Sequence, residues 1–193
     1  GCGSWGAALG CVLENKGLNV RFWHRNPKTV RNMQMTRNHY LMPNVKFGQS
    51  VSFHSDINEA IVGSKNIVLA IPSQNVREII LKIKNSIDSS KCIINVAKGI
   101  EKETLKTVSE VVFDVTKDLS NYVTISGPSH AEEVLANTPT AIVSSSKNMS
   151  AANFVQKLFS TNKFRVYTNN DLIGVEIGGS AKNVIAIAAG FCD

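Results

Sequence analysis

Two short, almost uncharged runs limit what this chain can fold into. Residues 66–71 read Asn-Ile-Val-Leu-Ala-Ile, and residues 91–96 read Lys-Cys-Ile-Ile-Asn-Val. They have the length of strands, and continuous apolarity in place of alternation fits strands covered on both faces of a parallel sheet. Residues 76–84 between them are amphipathic at helical spacing. Strand, helix and second parallel strand make a βαβ unit, because parallel neighbours need a crossover.

The same alternation runs along the chain. Residues 4–16 predict a helix stopped by Gly17, 19–23 a strand, and 27–37 a helix opened by Pro27. A looser stretch, 38–49, precedes a short strand at 51–53 and a helix capped by Asp56. A helix over 103–119 carries Val108, Val111, Val112 and Val115 on one face. Strands at 122–125 and 140–144 flank a helix beginning near Pro128, with Ser126 or Ser129 as its cap. Helix 149–159, strand 164–167 and a last helix from Leu172 complete the order.

The fold class expected is therefore α/β, with a Rossmann-like, doubly wound and mostly parallel sheet. Residues 1–167 form the dinucleotide-type domain without its first strand, since the opening glycine loop has no strand ahead of it. Residues 168–193 read as the first helix of a truncated, all-helical second domain. The longest uninterrupted apolar stretch, 184–192, is too short to span a bilayer, so no integral membrane segment is expected. No signal peptide is visible, and four cysteines without metal-ligand spacing suggest reduced thiols, no metal site and a cytoplasmic protein. With 43% hydrophobic and 19% charged residues, the chain is neither disordered nor fibrous.

Gly1-Cys2-Gly3-Ser4-Trp5-Gly6 fits Gly-x-Gly-x-x-Gly and runs straight into a helix. The first glycine permits a tight turn, the second lets backbone approach a pyrophosphate, and the third lets the helix pack closely on the sheet. The anion would rest on free N–H groups at the helix start. About 20 residues on, an NAD-selective site usually carries an acid for the ribose 2′-hydroxyl. Here the chain reads Trp23-His24-Arg25-Asn26. Arg25 suits a 2′-phosphate, so NADP(H) is favoured, with NAD(H) as the alternative. The net charge of +6 points the same way: from Asn15 to Ser55 there is no acid, but Lys16, Arg21, Arg25, Lys28, Arg31, Arg37 and Lys46 are present. That stretch lacks the pattern of a nucleic-acid surface, and no nucleic-acid partner is expected.

Two lysines stand where anions should bind. Lys98 follows strand 91–96 almost at once, at the carboxyl end where ligands bind in such sheets. A solvated loop lysine fits that pattern equally. Lys182 lies in Gly178-Gly179-Ser180-Ala181-Lys182-Asn183, in a helix otherwise apolar or small. A desolvated lysine there would be a proton donor or acceptor, and a snorkelling surface lysine is the alternative.

Four stretches together resemble the bacterial-type NAD(P)-dependent glycerol-3-phosphate dehydrogenases. They are GCGSWGAAL, NVAKGIE around Lys98, SGPSHAEEV around Ser129, and DLIGVEIGGSAKNVIAIAAGFCD at the end. The resemblance implies reversible reduction of dihydroxyacetone phosphate to sn-glycerol 3-phosphate, a precursor of phospholipids. It makes Lys182 the catalytic acid/base at the C2 oxygen, with Asn183 beside it, and gives Lys98 contacts to substrate and cofactor. Gly127 and Ser129 fall on substrate positions. Ser4, Trp5, Arg25, Tyr40 and Ala131 fall on cofactor positions, with Gly1, Gly3 and Gly6 in the loop. Asn26 departs from the family, which often has a second basic residue there. The family's Ser-Arg-Asn phosphate-binding segment is absent from these residues, so the isolated chain is expected to be inactive. A reductase of another small anionic ketone and a non-catalytic dinucleotide-binding module remain the alternatives, and a homodimer is one open assembly.

Overall fold

A computed structural model describes residues 1–192. The elements follow in order: α1 (Ser4–Asn15), β1 (Val20–Trp23), α2 (Pro27–Thr36), β2 (Val51–His54), α3 (Ile57–Ile61), β3 (Asn66–Leu69), α4 (Val76–Ile83) and β4 (Cys92–Asn95). The second half adds α5 (Val108–Thr116), β5 (Tyr122–Ser126), α6 (Ala131–Leu135), β6 (Thr140–Ser145), α7 (Met149–Phe159), β7 (Phe164–Asn169) and α8 (Leu172–Cys192). The strand order is β3-β4-β5-β6-β7 in one sheet, parallel except for the β5–β6 pair, and β1-β2 in a separate parallel pair. The architecture is the expected Rossmann-like α/β class, with helices on both faces.

The second apolar run, β4, lies inside the sheet and the first, β3, at its edge, and packing of alternate residues on opposite faces explains their composition. Ile94 joins Leu9 of α1 and Val155 and Phe159 of α7 on one face. Ile93 joins Ile80 of α4 and Val112 of α5 on the other. Each such side chain removed from water stabilises the fold by roughly 1.5–3 kcal/mol. The β1-β2 pair has its own core, in which Phe22, Phe47 and Phe53 pack with ring centroids 5.2–5.9 Å apart.

The two sheets do not meet. Their neighbouring edges, β1 and β3, face a cavity of about 610 Å³ lined by both strands and by Leu9, Leu13 and Ile61.

Several sequence expectations shift. The helix expected over 103–119 begins only at Val108, because the Thr107 N–H donates to Glu110 Oε2 at 2.8 Å and fixes the start there. Residues 101–106 close a turn instead, with Leu105 at φ 56° and its N–H donating to the Glu101 carbonyl. The helix expected near Pro128 begins at Ala131, behind an extended His130, and runs only five residues. Neither serine caps it: Ser126 ends β5, and the Ser129 hydroxyl turns back to the Gly127 carbonyl at 3.4 Å. The basic stretch also has structural work. Lys16 donates to the Lys157 and Ser160 carbonyls, Arg21 to that of Val62, and Arg37 to those of Gly48 and Val51.

The last helix changes the reading of the apolar tail most. Gly178 and Gly179 do not break it, and residues 172–192 form one helix of 21 residues with a mean hydropathy of 1.4 in its most apolar window. By length and composition alone it meets the measure of a membrane span, a test that a helix of a domain core also passes, so the expectation from residues 184–192 stands untested. Its first turns dock on the domain through Leu172 and Glu176. Val184, Ile187 and Phe191 further along are exposed.

Asn148 shows how the helices are tied down. Its side-chain oxygen accepts from the Ser150 N–H at 3.0 Å, and its amide donates to the Ser120 carbonyl at 2.8 Å. Asn148→Ala should cost about 0.5–2 kcal/mol of unfolding free energy, measured by urea titration.

Candidate active site

The carboxyl ends of β3, β4 and β5 open on the start of α1, and the three connections that leave them build a cleft. It measures about 500 Å³ and is lined by Gly3, Ser4, Trp5 and Gly6, by Ala70–Pro72, by Val96–Lys98, and by Ser129, Ala131 and their neighbours. The three glycines differ in surroundings. A Cβ on Gly1 would meet Ile71 Cγ2 at 2.8 Å and also the Ala70 carbonyl. One on Gly6 would meet the Gly1 carbonyl at 2.5 Å and Ala70 Cβ at 3.0 Å, so α1 rests directly on the strand exit. A Cβ on Gly3 would meet nothing within 4 Å. Gly3 is also the N-cap of α1 and offers no side chain to its first amides. An anion fits there: the free N–H groups and the positive helix end stand over open space.

One residue that the sequence reading missed holds this loop. His39 is buried, and its ring accepts from the Leu41 and Met42 N–H groups through Nδ1, at 3.2 and 3.1 Å. That leaves Nε2 to donate to the Cys2 carbonyl at 3.1 Å. Burial lowers its proton affinity, in keeping with a neutral imidazole. Only its place beside Tyr40 hinted at this, and a lone histidine carries no local signature.

Arg25 and Tyr40 lie outside the lining of the cleft. Arg25 is exposed just beyond the end of β1; burial and then Cys2 raise the Tyr40 pKa, and the nearby Arg25 charge offsets part of that rise. The Tyr40 ring meets the His24 ring edge-on at 5.0 Å between centroids. Asn26 is occupied as the N-cap of α2, accepting from the Lys28 N–H at 2.9 Å.

Lys98 and Lys182 come together. Lys98 Nζ donates to the Gly127 carbonyl at 3.0 Å, and Lys182 comes near enough for its charge to act on the Lys98 amine. Burial, then the Lys182 charge, pulls the Lys98 pKa down to about 8. Two amines facing each other in a half-buried cleft favour any anion that comes between them. α8 comes close to the end of β5 because Gly179 has no side chain: a Cβ there would press on the Ser126 hydroxyl. Gly99, at φ 132°, takes a backbone conformation that suits glycine, and its N–H donates to the Ser180 hydroxyl at 3.0 Å. Asn183 is exposed, one residue beyond Lys182 on α8.

A family model described as the NAD-dependent glycerol-3-phosphate dehydrogenase N-terminus matches residues 1–152, and the corresponding C-terminus model matches 171–193. The chain belongs to this family. A Clostridium tetani protein named glycerol-3-phosphate dehydrogenase [NAD(P)+] is 44% identical over the whole chain, and one of the same name from Bacillus pumilus is 42% identical. The chain spans 55% and 57% of those two proteins' lengths. Among solved structures, a glycerol-3-phosphate dehydrogenase from Coxiella burnetii superposes with a TM-score of 0.91 at 37% identity, covering 98% of this chain and 58% of that one. The Saccharomyces cerevisiae dehydrogenase, at 21% identity and a TM-score of 0.84, shares the fold; it covers 99% of this chain and 61% of its own.

The Lys98 pKa sets a pH window. It is about 8 in the folded protein against an ordinary 10.5, so between those values the unfolded chain holds a proton that the native state lacks. Stability carried by this group therefore rises with pH from about 8 to about 10.5. Lys98→Met should remove that rise, seen as a pH-dependent difference in unfolding free energy between the two proteins.

Proposed function

We propose that the chain carries the dinucleotide half and the catalytic lysine of a glycerol-3-phosphate dehydrogenase, reducing dihydroxyacetone phosphate reversibly to sn-glycerol 3-phosphate in the cytoplasm. The meeting of Lys98 and Lys182 beside the glycine-loop cleft is the observation that carries this reading. Residues 1–167 are the dinucleotide domain, and 168–193 begin a helical domain that completes the substrate pocket. A further strand entering the cavity between β1 and β3 would join the two sheets into one doubly wound sheet.

The loop Gly1, Gly3, Ser4, Trp5 and Gly6 would hold the pyrophosphate on the first amides of α1, with Ala131 across the cleft. Arg25 and Tyr40 would flank the adenosine end, where Arg25 can pair with a 2′-phosphate and so favours NADP(H) over NAD(H). When bound, the reduced dinucleotide supplies a hydride. Lys98, Gly127, Ser129 and Asn183 orient the substrate. The Lys98 ammonium attracts its phosphate or ketone oxygen while remaining anchored to the Gly127 carbonyl. Lys182 Nζ gives a proton to the C2 oxygen during reduction and takes it back during oxidation, where negative charge on that oxygen is greatest.

The test is oxidation of NADPH, and separately NADH, by the full-length protein with dihydroxyacetone phosphate. Lys182→Ala should lower kcat about 10²- to 10⁴-fold while NADPH affinity persists; unchanged turnover would remove Lys182 from the chemistry. Arg25→Asp should move the preference from NADPH towards NADH, read as the ratio of the two kcat/KM values. An unchanged ratio would mean that another group reads the 2′ position.

A further inference from the structure

Glu176 is a carboxylate in an unusual place. It lies in the second turn of α8, 7% exposed, and faces no cation: among the described residues no lysine, arginine or histidine pairs with it. Instead it is ringed by donors from three other elements. The Ser109 N–H reaches both of its oxygens at 3.2 Å, and the Ser109 hydroxyl reaches Oε2 at 2.7 Å. The Tyr122 and Thr124 hydroxyls each donate to Oε1 at 2.7 Å, and the Asn95 amide lies 3.5 Å away. Ser109 is in the first turn of α5, so the carboxylate also occupies the positive end of that helix. β4, β5 and α5 therefore converge on one side chain of α8.

The same face of α8 continues, through Ser180, to the turn that carries Lys98. One turn on, the Ser180 hydroxyl donates to the Glu176 carbonyl at 2.8 Å and accepts the Gly99 N–H, next to Lys98 in the chain. Lys182 follows six residues after Glu176, about 9 Å along the helix and about 120° round it. Any rotation or sliding of α8 at the Glu176 anchor is transmitted to Lys182, because the helix between them is rigid.

We propose that Glu176 is a positioning residue for the reaction proposed above: its seated carboxylate fixes the depth and rotation of α8 on the sheet and so holds Lys182 against Lys98. This rests on that reading for its catalytic consequence, but the placement of the two amines can be measured without turnover. A buried carboxylate satisfied by directional donors accepts one orientation only, which an apolar contact at the same point would not impose.

In the full-length enzyme, Glu176→Gln replaces one acceptor oxygen by an NH2 that cannot accept from the Ser109 N–H or the hydroxyls. The expected result is a fall in kcat of about tenfold to 10²-fold with NADPH affinity within about twofold. The Lys98 amine, followed by NMR of the methylated lysine, should titrate higher as Lys182 moves away. Tyr122→Phe removes one donor and keeps the carboxylate; it should shift both quantities the same way by less, and it serves if Glu176→Gln does not fold. Unchanged kcat and an unchanged Lys98 titration in the folded variants would overturn the proposal. So would a loss of kcat that only follows the loss of folded protein. If the unsubstituted enzyme does not turn over dihydroxyacetone phosphate, the functional reading fails, and the NMR titration alone decides the role of Glu176.

Discussion

The structure around Lys98 holds that amine near Lys182, where burial and the Lys182 charge lower its proton affinity. Lys98 is held by the Gly127 carbonyl and by the turn that follows it. Glu101 in that turn is gripped by the Arg77 guanidinium of α4 at 2.8 Å, and Arg77 also reaches Asp114 of α5. Lys182 is held from the other side by α8, docked through Leu172, Glu176 and Gly179. Both supports come from outside the pair, from the turn on one side and from α8 on the other. The fold around the site is thus a clamp whose load is electrostatic.

The cleft depends on a second constraint, the closeness of α1 to the sheet. Gly6 on the Gly1 carbonyl and on Ala70 leaves no room for a side chain, and that contact turns the first amides of α1 toward the exits of β3 and β4. His39 braces the loop from the far side with a single neutral tautomer. Its two roles, as donor to Cys2 and acceptor from the following turn, use both ring nitrogens. The loop and Lys98 therefore face one volume, although about half the chain lies between them.

What was legible in the sequence was local. The glycine spacing, the two continuous apolar runs, the amphipathic helix between them, and Lys98 just past a strand end are all readable within a few residues. So was Lys182, as a lone amine among small residues. Glu176 was not legible, because a single acid in an apolar helix says nothing of its partners, which lie 52 to 81 residues earlier. Lys16 and Arg37 escaped for the same reason: their partners are backbone carbonyls, which leave no mark on composition. The start of α5 at Val108 shows the converse, since Thr107 and Glu110 are close enough in sequence to have been seen but were outweighed by the valine periodicity.

The packing of β1-β2 bears on how the two ends of the cleft can vary. The unit β1–α2–β2 has its own core of Phe22, Phe47 and Phe53 with Val30 and Met33, whereas the strand that leads to Lys98 is buried against α1, α4, α5 and α7. The edge that carries Arg25 and the strand exit that carries Lys98 are therefore shaped by separate sets of side chains. A substitution that repacks one set leaves the other in place, so the two ends can be altered independently.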